Sequence, residues 1–532
     1  MAREANKFVK QAAILAGAMM FSRFLGFLYR LPLTQLIGDE GNAYYAAGYQ
    51  IYNFFLILSS AGLPAAISKM VSERIALGQH KNAHAVFRSA LALSAGMGII
   101  CALVMLFGAR GISNLTGQPP SYYSLLTLSP TVLIVGIMAV FRGYFQGMGT
   151  TVPTAFSQVI EQIFNVVFSV FLAWMFYKSG PEFGAAGGTA GTGIGALAGL
   201  MVVLIYYCLR SVRIKKTIRK SREKLTESPG ALLHILIKTT VPIIIGTAIF
   251  SISGIIDTLM ISKCLEMSQA FDGVEIARLF GQYSGKFIVL ITLPVTISSA
   301  LATASIPSVA SSAILKDRAA VHSKVNIGLR VSMMICIPAA IGVSVLGTPI
   351  ISLLFPGQSG GGELLRWGGI SVIFLSLAQI TTGMLQGTGH VKTPVLGAVC
   401  GALIKVPLNF LLISNPKINI LGAVFSTIAC YVVASFIDLF FLVRSTRVNL
   451  DYISVFVKPL LSASLMGAVC YVSYYGIFKL SNNNPVSVFV SVILGLIIYL
   501  ILLLLINGIK EEDLRSIPFG SKLSKLVKRQ NR

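Results

Sequence analysis

Runs of about 20 apolar residues recur along the whole chain, and no other feature limits its fold as strongly. The runs lie at 11–37, 44–67, 85–108, 122–145, 152–176, 184–208, 235–262, 279–305, 325–347, 367–388, 394–414, 418–443, 453–478 and 486–508. Because lipid offers no hydrogen bonds to the backbone, runs of this length predict about fourteen transmembrane helices. Their continuous rather than alternating character disfavours a β-barrel. Only 12% of residues are charged, against about 25% in a soluble domain, so we predict an all-α integral membrane protein.

Positive charge is concentrated in alternate connections between the runs. The net charge is +24, and the connection after the sixth run reads "LRSVRIKKTIRKSREKLTE". Under the positive-inside rule this pattern places both termini in the cytoplasm, and we interpret the first run as an uncleaved helix. The central connection could also attract anionic lipids, although setting the topology is the simpler role. No basic face interleaved with aromatic residues occurs, so nucleic acid is not expected as a partner.

Two stretches of the chain repeat the pattern Gln-Gly-x-Gly. Gln146, Gly147 and Gly149 form one, and Gln386, Gly387 and Gly389 form the other, 240 residues later. The offset of 240 also aligns "TGQ" at 116–118 with "PGQ" at 356–358. A near-constant offset predicts an internal repeat. Since each pattern ends an apolar run just before a proline, we interpret it as a structural helix hairpin.

The repeat divides the chain into segments. We predict two six-helix bundles at 1–208 and 235–443, a basic cytoplasmic loop at 209–234, two extra helices at 444–508 and a basic cytoplasmic tail at 509–532. An even number of helices per repeat keeps both halves in the same orientation, so the bundles are related by an axis along the membrane normal. Such bundles are expected to enclose a central cavity and to support alternating access.

Polar residues at bilayer depth are costly, and they are the candidate site residues. The cations are Arg23, Arg30, Lys286 and Lys405, and the carboxylates are Glu161 and Asp257. Cations in a membrane cavity suit an anionic ligand, and arginine binds diphosphate bidentately. The two carboxylates could bind a proton or Na⁺, and the membrane potential could also act alone.

Each of these residues also has a structural interpretation. Arg30 could extend its charge to an interface. Glu161 could form an ion pair with a cationic neighbour. Asp438, near the end of its run, is predicted to be interfacial.

The motifs of soluble enzymes are missing from the sequence. The seven cysteines are scattered without CxxC spacing, and no metal-ligand set, Walker A motif or catalytic triad occurs. The glycine-rich stretch at 184–199 opens an apolar run with no preceding strand, so it does not predict a dinucleotide site. Its glycines Gly187, Gly191 and Gly195 have the small-xxx-small spacing of close helix packing. We therefore expect no enzyme, no metal and no bound cofactor.

The stretches "MMFSRFLGFLYRLPLTQLIG" and "GLPAAISKMVSE", with the two Gln-Gly-x-Gly hairpins, resemble the polysaccharide-transporter branch of the MOP exporter superfamily. The resemblance covers nearly the whole chain and is strongest to SpoVB/YtgP-type proteins, which are related to MurJ-type lipid II flippases. It implies a 6+6+2 helix fold in the bacterial cytoplasmic membrane. It also implies that an undecaprenyl-diphosphate-linked saccharide crosses by alternating access, for envelope or spore-cortex assembly.

The resemblance also bears on the site residues. Ser22-Arg23-x-x-Gly26 matches the motif that supplies a cavity arginine in MurJ-type proteins, so it assigns that role to Arg23. The second arginine of that motif is replaced by Tyr29, with Arg30 one position later. The acidic residue that the family pattern places after the first loop is replaced by Asn42 in this chain. Lys286 matches the cation of the family's eighth helix only approximately.

Two other functions remain open at the level of sequence. A cation-coupled multidrug exporter of the same superfamily would depend on Glu161 or Asp257. A membrane scaffold without transport activity is the other. The expected partners of a transporter are the lipid-linked glycan and membrane lipids, with a monomer as the transport unit.

Overall fold

The computed structural model describes residues 17–18, 20–22, 24–220, 227–315 and 317–508, and every regular element among them is helical. The chain divides into two compact units, Met1–Lys263 with Gly273–Gly281, and Cys264–Asp272 with Gln282–Arg532. The predicted bundles at 1–208 and 235–443 stay a prediction. Arg23 and the predicted tail 509–532 lie outside the described residues.

The first unit contains six long or medium helices, a short one and most of a further helix. They are α1 (Arg30–Ser60), α2 (Leu63–Ala76), α3 (His80–Leu115), α4 (Tyr122–Gly147), α5 (Val152–Tyr177), α6 (Pro181–Lys220), α7 (Pro229–Met267) and α8 (Gly273–Gly281). One apolar core joins α2, α3, α4, α6 and α7 around Phe87 and Tyr144. A second core joins α1, α3 and α4 around Met105 and Leu128.

After the end of α7, the second unit has a π-helical turn at Gln282–Phe287 and another at Ile453–Val457. Its helices are α9 (Ile288–Ile314), α10 (Arg318–Val345), α11 (Gly347–Leu354), α12 (Gly362–Gly368), α13 (Ser371–Gly387), α14 (Lys392–Ile413), α15 (Leu421–Thr446), α16 (Lys458–Ser481) and α17 (Asn484–Leu505). Its core lies between α10, α13, α15, α16 and α17, around Met333 and Leu442.

Membrane-spanning helices dominate both units. Among the described residues, eleven helical segments are long and apolar enough to cross a membrane, and the bent pair α12–α13 would make a twelfth. These correspond to twelve of the fourteen predicted runs. Of the other two runs, 11–37 lies partly outside the described residues, and 235–262 lies on α7, which is not among these twelve segments. The all-α, multi-pass membrane fold is confirmed, whereas the count of fourteen is not.

The predicted basic loop 209–234 is shorter in the structure. The helix α6 continues to Lys220 and α7 begins at Pro229. Arginine, lysine and isoleucine tolerate a helix well, and cations are favourable at its carboxyl end. The helix can therefore extend beyond the apolar run that predicted it.

The two Gln-Gly-x-Gly stretches adopt the same turn. In the first, the backbone N–H of Gly149 donates to the Gln146 carbonyl at 3.0 Å, and in the second Gly389 donates to Gln386 at 3.1 Å. Gly149 and Gly389 have φ of 75° and 87°, a conformation that favours glycine. Each turn leads from one antiparallel helix into the next, α4 into α5 and α13 into α14.

Glycines on α6 bring that helix against the backbone of α5. A Cβ on Gly187 would lie 2.5 Å from the Leu172 carbonyl oxygen, and one on Gly195 would lie 2.6 Å from the Glu161 carbonyl oxygen. A Cβ on Gly191 would overlap the backbone of Ser169. The pair therefore packs backbone to backbone, as small-xxx-small spacing predicts.

Candidate functional site

Arg30 lies on a stacked pair of tyrosines in the first unit. Its guanidinium carbon is 4.6 Å from the ring centroid of Tyr45 and 5.3 Å from that of Tyr49. The two rings stack with centroids 5.5 Å apart, and the hydroxyls of Tyr29 and Tyr45 are 3.2 Å apart. At these distances the cation is attracted by the ring faces. Arg30 is half-buried on this aromatic surface.

A kink in α1 makes that contact possible. On a straight helix, Arg30 and Tyr45 would be about 22 Å apart along the axis. Gly38 has φ of 68°, which breaks the helical path and folds the first part of α1 back. The buried Asn42 side chain donates to the carbonyls of Gly38 at 2.6 Å and Thr34 at 3.2 Å, and it accepts from the Thr34 hydroxyl. The amide thus supplies the hydrogen bonds that the break removes.

Glu161 forms an ion pair that joins α4 to α5. The Arg142 guanidinium donates to its carboxylate at 2.6 Å and to the Ser157 hydroxyl at 2.7 Å. Ser157 in turn donates to the Gly199 carbonyl of α6 at 2.8 Å. The side chains of Arg142 and Glu161 are 12% and 28% exposed. This arrangement matches the ion-pair interpretation of Glu161, and Arg142 is a residue that the sequence analysis missed.

The other predicted carboxylate, Asp257, lies on α7 and is only 5% exposed. It has interaction partners of its own in the structure. The structure therefore shows Asp257 as an enclosed side chain of α7.

Lys286 is fully buried in the second unit. It lies in the π-helical turn, and its ammonium donates to the backbone carbonyls of Gln358 at 2.8 Å and Gly360 at 3.1 Å. The ammonium also lies 5.4 Å from the ring centroid of Phe355. In this conformation Lys286 therefore holds the connection 355–361, the same connection that contains the repeated "PGQ".

A variant can test this structural role of Lys286. We expect Lys286→Met to lower the free energy of unfolding by about 2 kcal/mol, because two partly buried carbonyls lose their donor. Thermal unfolding of the purified protein in detergent, without substrate, measures the effect. Lys479→Met, at an exposed lysine of α16, is the matched control. An unchanged melting temperature in Lys286→Met would contradict the role.

Lys405 is also fully buried. It belongs to a stripe along one face of α14, formed by Gly397, Gly401, Lys405, Asn409 and Ile413. The stripe packs against α15, where Ser426 donates to the Asn409 side chain. Of the four predicted cations, Arg30 is thus the one that the structure describes as partly exposed, while Lys286 and Lys405 are enclosed.

A family model described as "Polysaccharide biosynthesis protein" matches residues 8–313, more than half of the chain. The chain belongs to this polysaccharide biosynthesis family. A second model, MatE, matches residues 242–411. Membership confirms the resemblance to the polysaccharide-transporter branch of the MOP superfamily.

Curated relatives of this family member match along most of their length. Stage V sporulation protein B of Bacillus subtilis (strain 168) is 25% identical over 523 residues, covering 97% of this chain and 98% of the relative. The lipid II flippase MurJ of the same organism is 26% identical over 445 residues, covering 80% of this chain and 81% of the relative.

Solved structures share the fold of this family member. The inward closed conformation of lipid II flippase MurJ has a TM-score of 0.66 at 18% identity, covering 92% of this chain and 98% of that one. An inward-facing MATE family transporter has a TM-score of 0.66 at 15% identity, covering 80% of this chain and 94% of that one. At these identities the likeness concerns the fold.

Proposed function

We propose that the protein moves a lipid-linked polysaccharide precursor across the bacterial cytoplasmic membrane by alternating access. The cargo would be a saccharide on undecaprenyl diphosphate, either lipid II or a related glycan of the envelope or spore cortex. The observation that carries the proposal is full-length similarity to stage V sporulation protein B together with similarity to a lipid II flippase. We infer transport rather than catalysis, with both termini in the cytoplasm and a monomer as the transport unit.

The tyrosine-supported Arg30 is the residue that we propose contacts the diphosphate. Stacking on Tyr45 and Tyr49 engages the face of the guanidinium. Its N–H donors lie in the plane of the group, which is the geometry that binds two phosphate oxygens at once. The half-buried position limits competition from water, which strengthens such a contact. Arg23, which the resemblance assigns to the same role, belongs to the same proposal.

Two further parts of the proposal concern other residues. Lys286 and Lys405 would reach cargo only in another conformation, since both are enclosed in this one.

The alternative of a cation-coupled multidrug exporter is less well supported. One of its two candidate carboxylates, Glu161, is already paired with Arg142.

Complementation tests the proposed function. In a bacterium whose own lipid II flippase can be shut off, the wild-type chain is expected to restore growth. Arg30→Ala is expected to reduce rescue, because a lost charged hydrogen bond weakens binding by about tenfold or more. Arg30→Lys keeps the charge but not the fork, so we expect intermediate rescue. Arg23→Ala is tested in parallel.

The matched control is Arg110→Ala. Arg110 also lies over a tyrosine ring, 5.7 Å from the centroid of Tyr122, but at an exposed position on α3. Membrane levels of every variant are compared by immunoblotting. Full rescue by Arg30→Ala would contradict its role in binding. Failure of a well-expressed wild type would contradict lipid II as the cargo.

A further inference from the structure

The 240-residue offset aligns a polar cluster of the first unit with a different one in the second. In the first unit, Arg142 of α4 meets Ser157 and Glu161 of α5, and Ser157 bonds the Gly199 carbonyl of α6. Adding 240 to the positions of Arg142, Ser157 and Glu161 gives Thr382 of α13 and Gly397 and Gly401 of α14. The second unit thus lacks the arginine, the serine and the glutamate at these positions.

The second unit has its own carboxylate at this place, Asp438 of α15. The Thr382 hydroxyl donates to Asp438 Oδ2 at 3.1 Å. A Cβ on Gly397 would lie 2.7 Å from Asp438 Oδ1 and 3.1 Å from the Ala434 carbonyl oxygen. The absence of a side chain at Gly397 therefore leaves the space that the carboxylate occupies. Thr382 takes the position of Arg142 and donates to the acid in its stead.

Asp438 is buried, contrary to the prediction that it lies at the interface. It is 2% exposed, and among the described residues Oδ1 has no hydrogen-bond partner. Its position eight residues before the end of α15 suggested water contact, but α13 and α14 cover that face of the helix.

In the part of the chain that the structure describes, no basic group stands in for Arg142 around this carboxylate. The helix α13 carries no charged or titratable side chain along its length. The charged or titratable side chains on the other elements that touch α15, and on α15 itself, are Tyr283 and Lys286 of the π-helical turn Gln282–Phe287, Lys392, Cys400 and Lys405 of α14, Arg318, His322, Lys324, Arg330 and Cys336 of α10, Glu363 and Arg366 of α12, and Cys430, Tyr431 and Arg444 of α15. Among the described residues, none of these donates to Asp438 or forms an ion pair with it.

An ionised carboxylate enclosed among apolar helices with a single hydroxyl donor is strongly unfavourable. We propose that Asp438 is a proton-binding site of the second unit, at the place where the first unit holds the Arg142–Glu161 ion pair. The bound proton forms the O–H bond at Oδ1, and Oδ2 keeps the Thr382 hydroxyl as its donor. In the first unit, Arg142 neutralises the charge of Glu161. In the second unit, a proton taken up from water neutralises Asp438, and this proton can be released to water again.

Infrared difference spectroscopy of the full-length protein in lipid nanodiscs tests this assignment without any transport assay. At neutral pH, wild type minus Asp438→Asn is expected to show the carbonyl stretch of a protonated carboxyl, displaced in D₂O. The matched control is Glu161→Gln, whose difference spectrum is expected to show carboxylate bands because Glu161 is paired with Arg142. Thr382→Val keeps the acid but removes the donor, so its carbonyl band should shift to higher frequency.

Any of three results would overturn the proposal. Carboxylate bands, rather than a carbonyl band, in the Asp438→Asn difference at neutral pH would show that the acid is ionised. Loss of the carbonyl band on adding NaCl at constant pH, with KCl as the control, would show a Na⁺ site instead. If Asp438→Asn fails to fold, Thr382→Val and Gly397→Ala, which crowds the carboxyl without removing it, decide the question. An unchanged carbonyl region in both variants would then contradict the assignment.

Discussion

Replacing Gly191 with leucine is expected to abolish the folded state of the first unit. A Cβ at this position would overlap the backbone nitrogen and Cα of Ser169. Overpacked cores typically lose about 1–3 kcal/mol by shifting side chains, but here the obstacle is backbone, which cannot move aside on its own. We therefore expect a loss above about 3 kcal/mol. Fluorescence-detected size-exclusion chromatography of the solubilised membranes should show loss of the monodisperse peak.

The chain provides a control for this substitution. Gly111 lies on α3, and a Cβ built there meets no atom within 4 Å. Gly111→Leu adds the same side chain to a membrane helix and is expected to elute like the wild type. If Gly191→Leu and Gly111→Leu behaved alike, the backbone contact between α5 and α6 would not be essential to the fold.

Removal of Arg142 is expected to have the second largest effect. Arg142→Ala leaves Glu161, with a side chain 28% exposed, without its cationic partner. Breaking a buried ion pair on one side costs about 3–5 kcal/mol, and the partial exposure of Glu161 favours the lower end of that range. The melting temperature of the purified protein in detergent should fall accordingly. Lys substitution restores the charge but loses the second contact to Ser157, so we expect partial recovery.

The double variant Arg142→Ala/Glu161→Ala separates the ion pair from the packing of the two side chains. Because it leaves no unpaired charge, its melting temperature is expected to lie above that of Arg142→Ala. A double variant less stable than Arg142→Ala would show that packing around the pair, rather than the charge of Glu161, determines the loss.

The membrane helices could be predicted from sequence because lipid imposes one strict requirement. A segment that crosses it must be apolar and must satisfy its own backbone, so length and hydropathy are sufficient signals. The turn that Gly149 and Gly389 share could also be predicted from sequence. Because a positive φ favours glycine, the glycines after each apolar run mark where the helix ends.

The kink at Gly38 could not be predicted in the same way. The stretch "GDEGN" looks like a loop, yet α1 continues through it apart from the single break at Gly38. What decides between a loop and a kinked helix is the buried Asn42 side chain, which bonds to Thr34 and Gly38. That contact depends on how the helix is enclosed, and hydropathy carries no information about it.

The partners of the polar residues were similarly hidden. Arg142 and Ser157 lie at equal distances from the centre of the turn between α4 and α5, and this symmetry was a signal that they could meet. No such signal exists for Asp438, because its burial depends on α13 and α14, which are distant in sequence from it. Its nearness to the end of its apolar run suggested an exposed position instead.

The backbone contact between α5 and α6 has a mechanical consequence for any change of shape in the first unit. Two helices in contact without intervening side chains have almost no slack for sliding or shear. The helices α5 and α6 therefore move as one rigid body. Any bending of the first unit must then be concentrated where the chain already departs from regular helix. One such place in this unit is Gly38, inside α1, which makes the front of α1 a compliant segment and the α5–α6 pair a rigid one.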